Sequence, residues 1–286
     1  MADKFMVRLD RFELVISGND KITGDIRFRD IIEKKLPIVV ITHGFTGHKD
    51  WGFLPYFAEE LAKSGFIAIT YNFTTDCIDA EKDWFTNVDK FATFTISQEV
   101  NELKLLVQHL IDKTILSDEL KDFADSSKIY LIGQSLGGAV SIIFASQNQV
   151  VEKIVLLGTV GTLFRYTKRQ VIEWEKNGVW HFTNTRTGQE LKINYSYYKD
   201  LIENNYFLER FLERIQVPTL FIHGTEDLTV PVNEIEGFIK KAKNPFVELK
   251  LIKNTGHTFG IEHPFTQSTP ALEQVIVETI NFLNND

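Results

Sequence analysis

The chain of 286 residues carries a single cysteine, Cys77. One thiol closes no internal disulfide, and no Cys/His cluster has zinc-ligand spacing, so disulfide-stapled and zinc-finger folds are excluded. No apolar run approaches the ~18 residues of a membrane helix. The segment Met1–Arg8 is polar where a secretory leader needs an unbroken apolar stretch. Lys and Arg number 31 against 39 Asp and Glu, a formal net charge of −8, and form no block. Nucleic acid, whose phosphates call for clustered cations, is therefore excluded as a partner. Internal repeats and low-complexity tracts are absent. The expectation is a soluble, cytoplasmic protein with no membrane partner.

The length is near the ceiling of about 250–300 residues for a single hydrophobic core, so positions 1–286 are expected to form one large domain with a modest insertion. A β-hairpin is predicted first: Phe12–Ile16 and Ile22–Phe28 flank the turn formers Ser17-Gly18-Asn19-Asp20. Short apolar runs then recur at Ile38–Ile41, Phe66–Thr70, Ile129–Ile132, Ile154–Leu157, Leu220–Ile222 and Val247–Leu251. Most are apolar at every position, as strands covered on both faces must be; only the last alternates, which suits a sheet edge. Between them, Tyr56–Lys63, Gln98–Asp112, Ala139–Gln147 and Asn233–Lys243 have helical periodicity, and Leu272–Leu283 closes the chain. This alternation predicts an α/β fold: a mostly parallel central sheet flanked by helices, with ligands beyond the carboxyl ends of the strands.

The rhythm breaks between Gly161 and Arg214. Residues are 12% aromatic over the chain but roughly a fifth aromatic here, too many for a flexible linker. Asn184–Gly188, between Val179–Phe182 and Leu191–Ile193, reads as the turn of a small hairpin with helical segments on either side. The expectation is a cap inserted at 161–214 over the strand ends. Its Tyr166, Trp174 and Trp180, with Phe45 from the body, are the candidate substrate contacts; the alternative is that the cap's rings form its own small core.

The sharpest chemical signal is Gly133-Gln134-Ser135-Leu136-Gly137, set between a buried strand and an apolar helix. Gly-x-Ser-x-Gly in that context is a nucleophile elbow: glycines let the chain pass closely, and the serine is raised at a helix N-terminus that favours developing negative charge. A serine needs a base, and the base needs an orienting acid, in the order Ser…Asp/Glu…His. Asp227 follows the strand ending at His223, and His257 lies in the loop Asn254–Phe259 after the last strand. Glu226 would point elsewhere in a tight turn, and His263 precedes Pro264 with no glycine turn. His223, His181 and His109 read as structural. An oxyanion also needs donors; the loop His43-Gly44-Phe45-Thr46-Gly47 offers the Phe45 amide, and Leu136 offers the second. His43 reads as a backbone brace.

Together these motifs resemble the α/β-hydrolase superfamily over nearly the whole chain. Within it, His43–Gly47 and the modest cap are similar to feruloyl and cinnamoyl esterases, and to monoacylglycerol-lipase-like and serine-aminopeptidase-like members. The resemblance implies Ser135 as nucleophile, His257 as base, Asp227 as acid, and Phe45 and Leu136 as oxyanion donors. It implies no metal and no cofactor. A His-Gly-Gly-Gly oxyanion loop is missing, which argues against tertiary-alcohol esters and long-chain lipase activity. Serine at 135, rather than aspartate, argues against dehalogenase and epoxide hydrolase chemistry. The expected function is hydrolysis of small to medium carboxylic esters, with aromatic acyl groups included. A peptidase or amidase anchoring a substrate amine on Glu173, Glu175 or Glu203, and a non-catalytic ligand receptor, are the competing expectations. A homodimer is compatible with the sequence, which does not fix the oligomeric state.

Overall fold

The structure, a computed structural model, describes residues 6–79 and 81–285. The absence of a leader was read from Met1–Arg8, of which positions 1–5 lie outside the described residues. The chain opens with β1 (Val7–Ser17) and β2 (Asp20–Arg29), an antiparallel hairpin turning at Gly18, whose φ of +54° suits a residue without a side chain. Then follow β3 (Leu36–Thr42), α1 (Leu54–Lys63) and β4 (Ile67–Asn72). A small excursion holds β5 (Ile78–Asp79), β6 (Trp84–Phe85) and α2 (Val88–Phe91). Next are α3 (Ile96–Ile111), α4 (Asp118–Phe123), β7 (Ala124–Gln134), α5 (Leu136–Gln147) and β8 (Val151–Leu157).

The segment 161–214 contains α6 (Lys168–Asn177), β9 (Val179–Thr183), β10 (Glu190–Asn194), α7 (Ser196–Glu203) and α8 (Leu208–Leu212). The chain ends with β11 (Thr219–Gly224), α9 (Val232–Ala242), β12 (Val247–Ile252) and α10 (Pro270–Asn284). Eight strands form one sheet in the order β1-β2-β4-β3-β7-β8-β11-β12, parallel from β4 to β12 and antiparallel at the hairpin. The one alternating run, β12, takes an edge.

Alternation along the strands sorts the core into two layers. Ile38, Val40, Ile129, Leu131, Ile154 and Leu156 face α3, α5 and α9, whereas Val39, Ile41, Ile132, Val155 and Leu157 face α1 and α10. The six strands joined in parallel need such double coverage, which is why these runs are apolar throughout. Several expected boundaries move, β1 starting at Val7 rather than Phe12, and two of the shifts have a local cause. Strand β7 begins five residues before its apolar run, because Ala124 and Asp125 pair with Leu36 and Pro37 ahead of a register shift. Helix α5 begins at Leu136 rather than Ala139, because the turn at Ser135 delivers the chain directly into a helix. The short elements β5, β6, α2 and α4 carry too few residues to show a period.

In the inserted segment, α6 starts at a reciprocal Thr167–Gln170 capping box and stops at left-handed Gly178. Trp174 is its fully buried anchor, ringed by Tyr166 and Tyr197, with its indole N–H donated to the Ile193 carbonyl at 2.9 Å. No helix among the described residues is long and apolar enough to cross a membrane.

Candidate active site

Strand β7 ends at Gln134 and α5 begins at Leu136, so Ser135 alone makes the turn. Its φ of 53° and ψ of −117° are a backbone conformation that a residue with a Cβ adopts only under strain. The strain is tolerated because both neighbours in the motif are glycines at close contacts. A Cβ at Gly133 would meet the Gly138 Cα at 2.5 Å, and one at Gly137 would collide with the Thr42 and His43 carbonyls. Backbone bonds then fix the turn: Ser135 N–H donates to Leu157 O at 2.9 Å, and Thr159 Oγ1 donates to Ser135 O at 3.0 Å.

Three separated side chains meet there. His257 Nε2 lies 3.0 Å from Ser135 Oγ, and His257 Nδ1 lies 2.7 Å from Asp227 Oδ2. The other Asp227 oxygen accepts the Thr229 and Val230 N–H groups, each at 2.8 Å. Burial alone would raise the Asp227 pKa; the His257 hydrogen bond and charge, with the Val230 N–H, outweigh it and hold the carboxyl below its ordinary value. His223 is buried and donates Nε2–H to the Val230 carbonyl at 2.7 Å, so it stiffens the turn that carries Asp227. Burial pushes its pKa down.

Facing the serine, His43 sits between two acceptors, the Gly44 carbonyl at 3.0 Å from Nδ1 and Asp76 Oδ2 at 2.8 Å from Nε2. Burial opposes the charged ring, but Asp76 outweighs it and raises the pKa. With both ring nitrogens engaged by Gly44 and Asp76, the ring braces the loop. The Gly44 N–H is taken by the Gln134 side chain at 3.0 Å. The Phe45 and Leu136 amides make no hydrogen bond among the described residues, and both residues line the cleft beside Ser135.

Two clefts meet at Ser135 and Phe45. The first, about 600 Å³ including its mouth, is walled by Phe45, Phe94, Leu136, Val160, Leu163, Tyr166, Tyr197 and Val230, with Thr162, Arg165 and Thr229 at its polar edge. Arg165 is paired with Glu234 at 2.8 Å. Burial pushes the Tyr166 phenol up to about 12, so it stays neutral and serves as wall. The second cleft, about 340 Å³, holds His257, Gln134, Trp51 and Arg186.

Of the expected substrate contacts, Phe45 and Tyr166 line the first cleft; Trp174 and Trp180 line neither. Trp174 is consumed by the inserted segment's own core, and Trp180 packs half-buried against that core from β9. Glu173, Glu175 and Glu203 are exposed and reach neither cleft, so no amine anchor comes from them. Phe94, Tyr197 and Arg186 were missed. Only Arg186 left a trace in the sequence, as the one charged residue in the turn 184–188.

His48, Asp83 and His263 place one ligand atom each within 4.8 Å of one another. Yet His263 Nδ1 accepts Gly52 N–H at 2.9 Å and His48 Nδ1 accepts Asp50 N–H at 3.3 Å. That puts each ring proton on Nε2, the reverse of a metal-ligating histidine, which donates from its other nitrogen. The rings suit a carboxylate, Asp83, better than a cation.

Comparison with known proteins fits this geometry. The chain is 24% identical over 187 residues to a 2-hydroxy-6-oxo-6-(2'-aminophenyl)hexa-2,4-dienoic acid hydrolase of Metapseudomonas resinovorans, covering 55% of this chain and 64% of that relative's length. Its fold is similar to ferulic acid-bound Est1E of Butyrivibrio proteoclasticus, with TM-score 0.67, 20% identity, and coverage of 92% of this chain and 94% of the other. It is also similar to a monoacylglycerol lipase of Paleococcus ferrophilus, with TM-score 0.65, 14% identity, and coverage of 96% and 98%. Residues 110–274, more than half of the chain and including Ser135, Asp227 and His257, match the model of the prolyl oligopeptidase family. The chain is an α/β hydrolase and belongs to the prolyl oligopeptidase family.

Proposed function

We propose that the protein is a serine carboxylesterase that hydrolyses small to medium esters through an acyl-enzyme on Ser135. The observation that carries this reading is the run of contacts from Ser135 Oγ to His257 Nε2 and from His257 Nδ1 to Asp227. In the proposed reaction Ser135 Oγ attacks the ester carbonyl as its proton passes to His257 Nε2. The carbonyl oxygen becomes an oxyanion held by the Phe45 and Leu136 amides, while Asp227 stabilises the imidazolium without taking its proton. Collapse expels the alcohol, which leaves with the proton from His257. Water then repeats the sequence on the acyl-enzyme, releasing the acid and restoring Ser135.

The aromatic walls of the first cleft support an aromatic or short-to-medium acyl group, with residues 161–214 acting as the cap over it. The likeness to an esterase solved with ferulic acid supports the same class. A panel of nitrophenyl esters of rising chain length, together with hydroxycinnamate methyl esters, tests the reading. Turnover of butyrate, hexanoate and hydroxycinnamate esters is expected. Acetate preference without cinnamate turnover contradicts the aromatic acyl site, and no ester turnover contradicts the esterase. Membership of the prolyl oligopeptidase family favours amide hydrolysis as the second reading; faster cleavage of matched anilides than of esters would support it.

A further inference from the structure

The two clefts flank Ser135 with different linings. His257 lines only the second, whereas Leu136 and Val160 line only the first. The base must return its proton to the departing oxygen, so on the esterase reading the leaving group occupies the second cleft and the acyl group the first. Among the residues around the second cleft, Trp51, Gln134, Ser135, His257 and Thr258 carry no fixed charge, and none is acidic; Arg186 alone is a permanent cation.

That cation is held firmly. The Arg186 backbone N–H donates to Asn184 Oδ1 at 3.1 Å, which shapes the turn between β9 and β10. The buried Gln189 amide exchanges two hydrogen bonds with the Phe85 backbone, at 2.9 and 2.8 Å, and ties the hairpin to β6. The guanidinium lies 5.3 Å from the centre of the Trp51 ring. Its Nε donates to Asp83 Oδ2 at 3.3 Å, and its two Nη atoms reach Thr46 O at 2.8 Å and Thr46 Oγ1 at 3.5 Å. A guanidinium has five N–H donors, and these contacts use three. Asp83 meets it through one oxygen only and turns the other toward His48 Nε2, 3.5 Å away.

We propose that Arg186 is a specificity residue that selects esters whose leaving alcohol carries a carboxylate, binding that carboxylate in the cleft beside His257. The proposal rests on the esterase reading. A cation with two unused donors, whose one carboxylate partner, Asp83, lies outside the cleft lining, favours such a leaving group by a charge-assisted hydrogen bond. Once the alcohol has departed the contact is gone, so the effect belongs to acylation.

The test compares 4-butyryloxybenzoate with its carboxamide counterpart, 4-butyryloxybenzamide, which share shape and acyl group and differ in charge. Wild type is expected to favour the carboxylate in kcat/KM by about 10–100-fold, the range for a hydrogen bond to a charged group. Arg186→Gln is expected to lose that ratio and Arg186→Lys to keep part of it. The wild-type ratio needs no variant, so a misfolded substitution leaves the test intact. A wild-type ratio near one, or an Arg186→Gln variant slowed equally on both esters, overturns the proposal and leaves Arg186 as a latch on Thr46. Carboxamide turnover in either case shows that the esterase reading stands; failure to hydrolyse either ester removes that reading and this one together.

Discussion

On the sheet side of the site, Ser135, Asp227 and His257 each stand in a turn beyond the carboxyl end of a strand; backbone hydrogen bonds hold the Ser135 and Asp227 turns, and Asp227 holds the His257 ring. On the inserted side, residues 161–214 contribute through side chains whose direction depends on how that segment packs. Trp174 shows the consequence: it is the largest fully buried side chain among the described residues, yet it lies in its own segment's interior and does not line the cleft. The Ser135 turn is set by close backbone contacts at Gly133 and Gly137, whereas the side chains of residues 161–214 are set by packing.

The sharpest way to break that contrast is Ser135→Ala. Turnover of nitrophenyl butyrate is expected to fall by about 10⁶-fold, with the circular dichroism spectrum unchanged; retained activity would put the chemistry elsewhere. Asp227→Asn keeps the shape and spoils the tautomer of His257, so kcat is expected to fall by about 10⁴-fold. The same substitution carries a pH signature. Because the folded pKa of Asp227 is depressed, its contribution to stability is fully present above the ordinary Asp value and is lost as pH falls through the lower folded one. The urea midpoint of wild type is therefore expected to exceed that of the Asn variant at pH 7 and to converge with it in strong acid.

On the inserted side, Trp174→Ala is expected to cost about 3–5 kcal/mol of stability by emptying a packed core, read as a shift in the denaturation midpoint. A change in acyl preference without that destabilisation would return Trp174 to the substrate site. The smallest effect concerns Glu99, on α3. Burial, reinforced by the charges of Asp76 and Glu102, holds its carboxyl well above the ordinary range. Folding then takes up a proton, so stability drops as pH rises above the ordinary Glu value toward the folded one. Glu99→Gln is expected to melt above wild type at pH 7, with the gap closing near pH 4; a lower melting point at pH 7 would assign Glu99 an unseen partner.

The same contrast explains what could be read from residues alone. Gly-x-Ser-x-Gly between an apolar strand and an apolar helix leaves one backbone path, so position 135 was legible. That Asp227 and His257 come together at Ser135 was legible too, because each lies in a turn after a strand, in the chain order Ser, Asp, His. The mostly parallel sheet was implied by continuous apolar runs and the edge place of β12 by its alternation, whereas the strand order follows from pairings between distant segments. Aromatic residues in the inserted segment announced a packed unit but not its inner and outer faces. Phe94 and Tyr197 reach the cleft from α3's approach and from α7, whose positions depend on tertiary contacts. Arg186 was visible as a lone charge in a turn, but its place in the cleft with His257 follows from its own hydrogen bond to Thr46 and from those of Gln189 to Phe85, far away in sequence.

The central claim is that one hydroxyl is made nucleophilic by its neighbours, and covalent labelling tests it most directly. Treatment with a fluorophosphonate, followed by intact mass and peptide mapping, is expected to give a single adduct on Ser135. The adduct should be absent in Ser135→Ala and form far more slowly in His257→Ala. An adduct on another residue, or equal labelling of wild type and His257→Ala, would contradict the account.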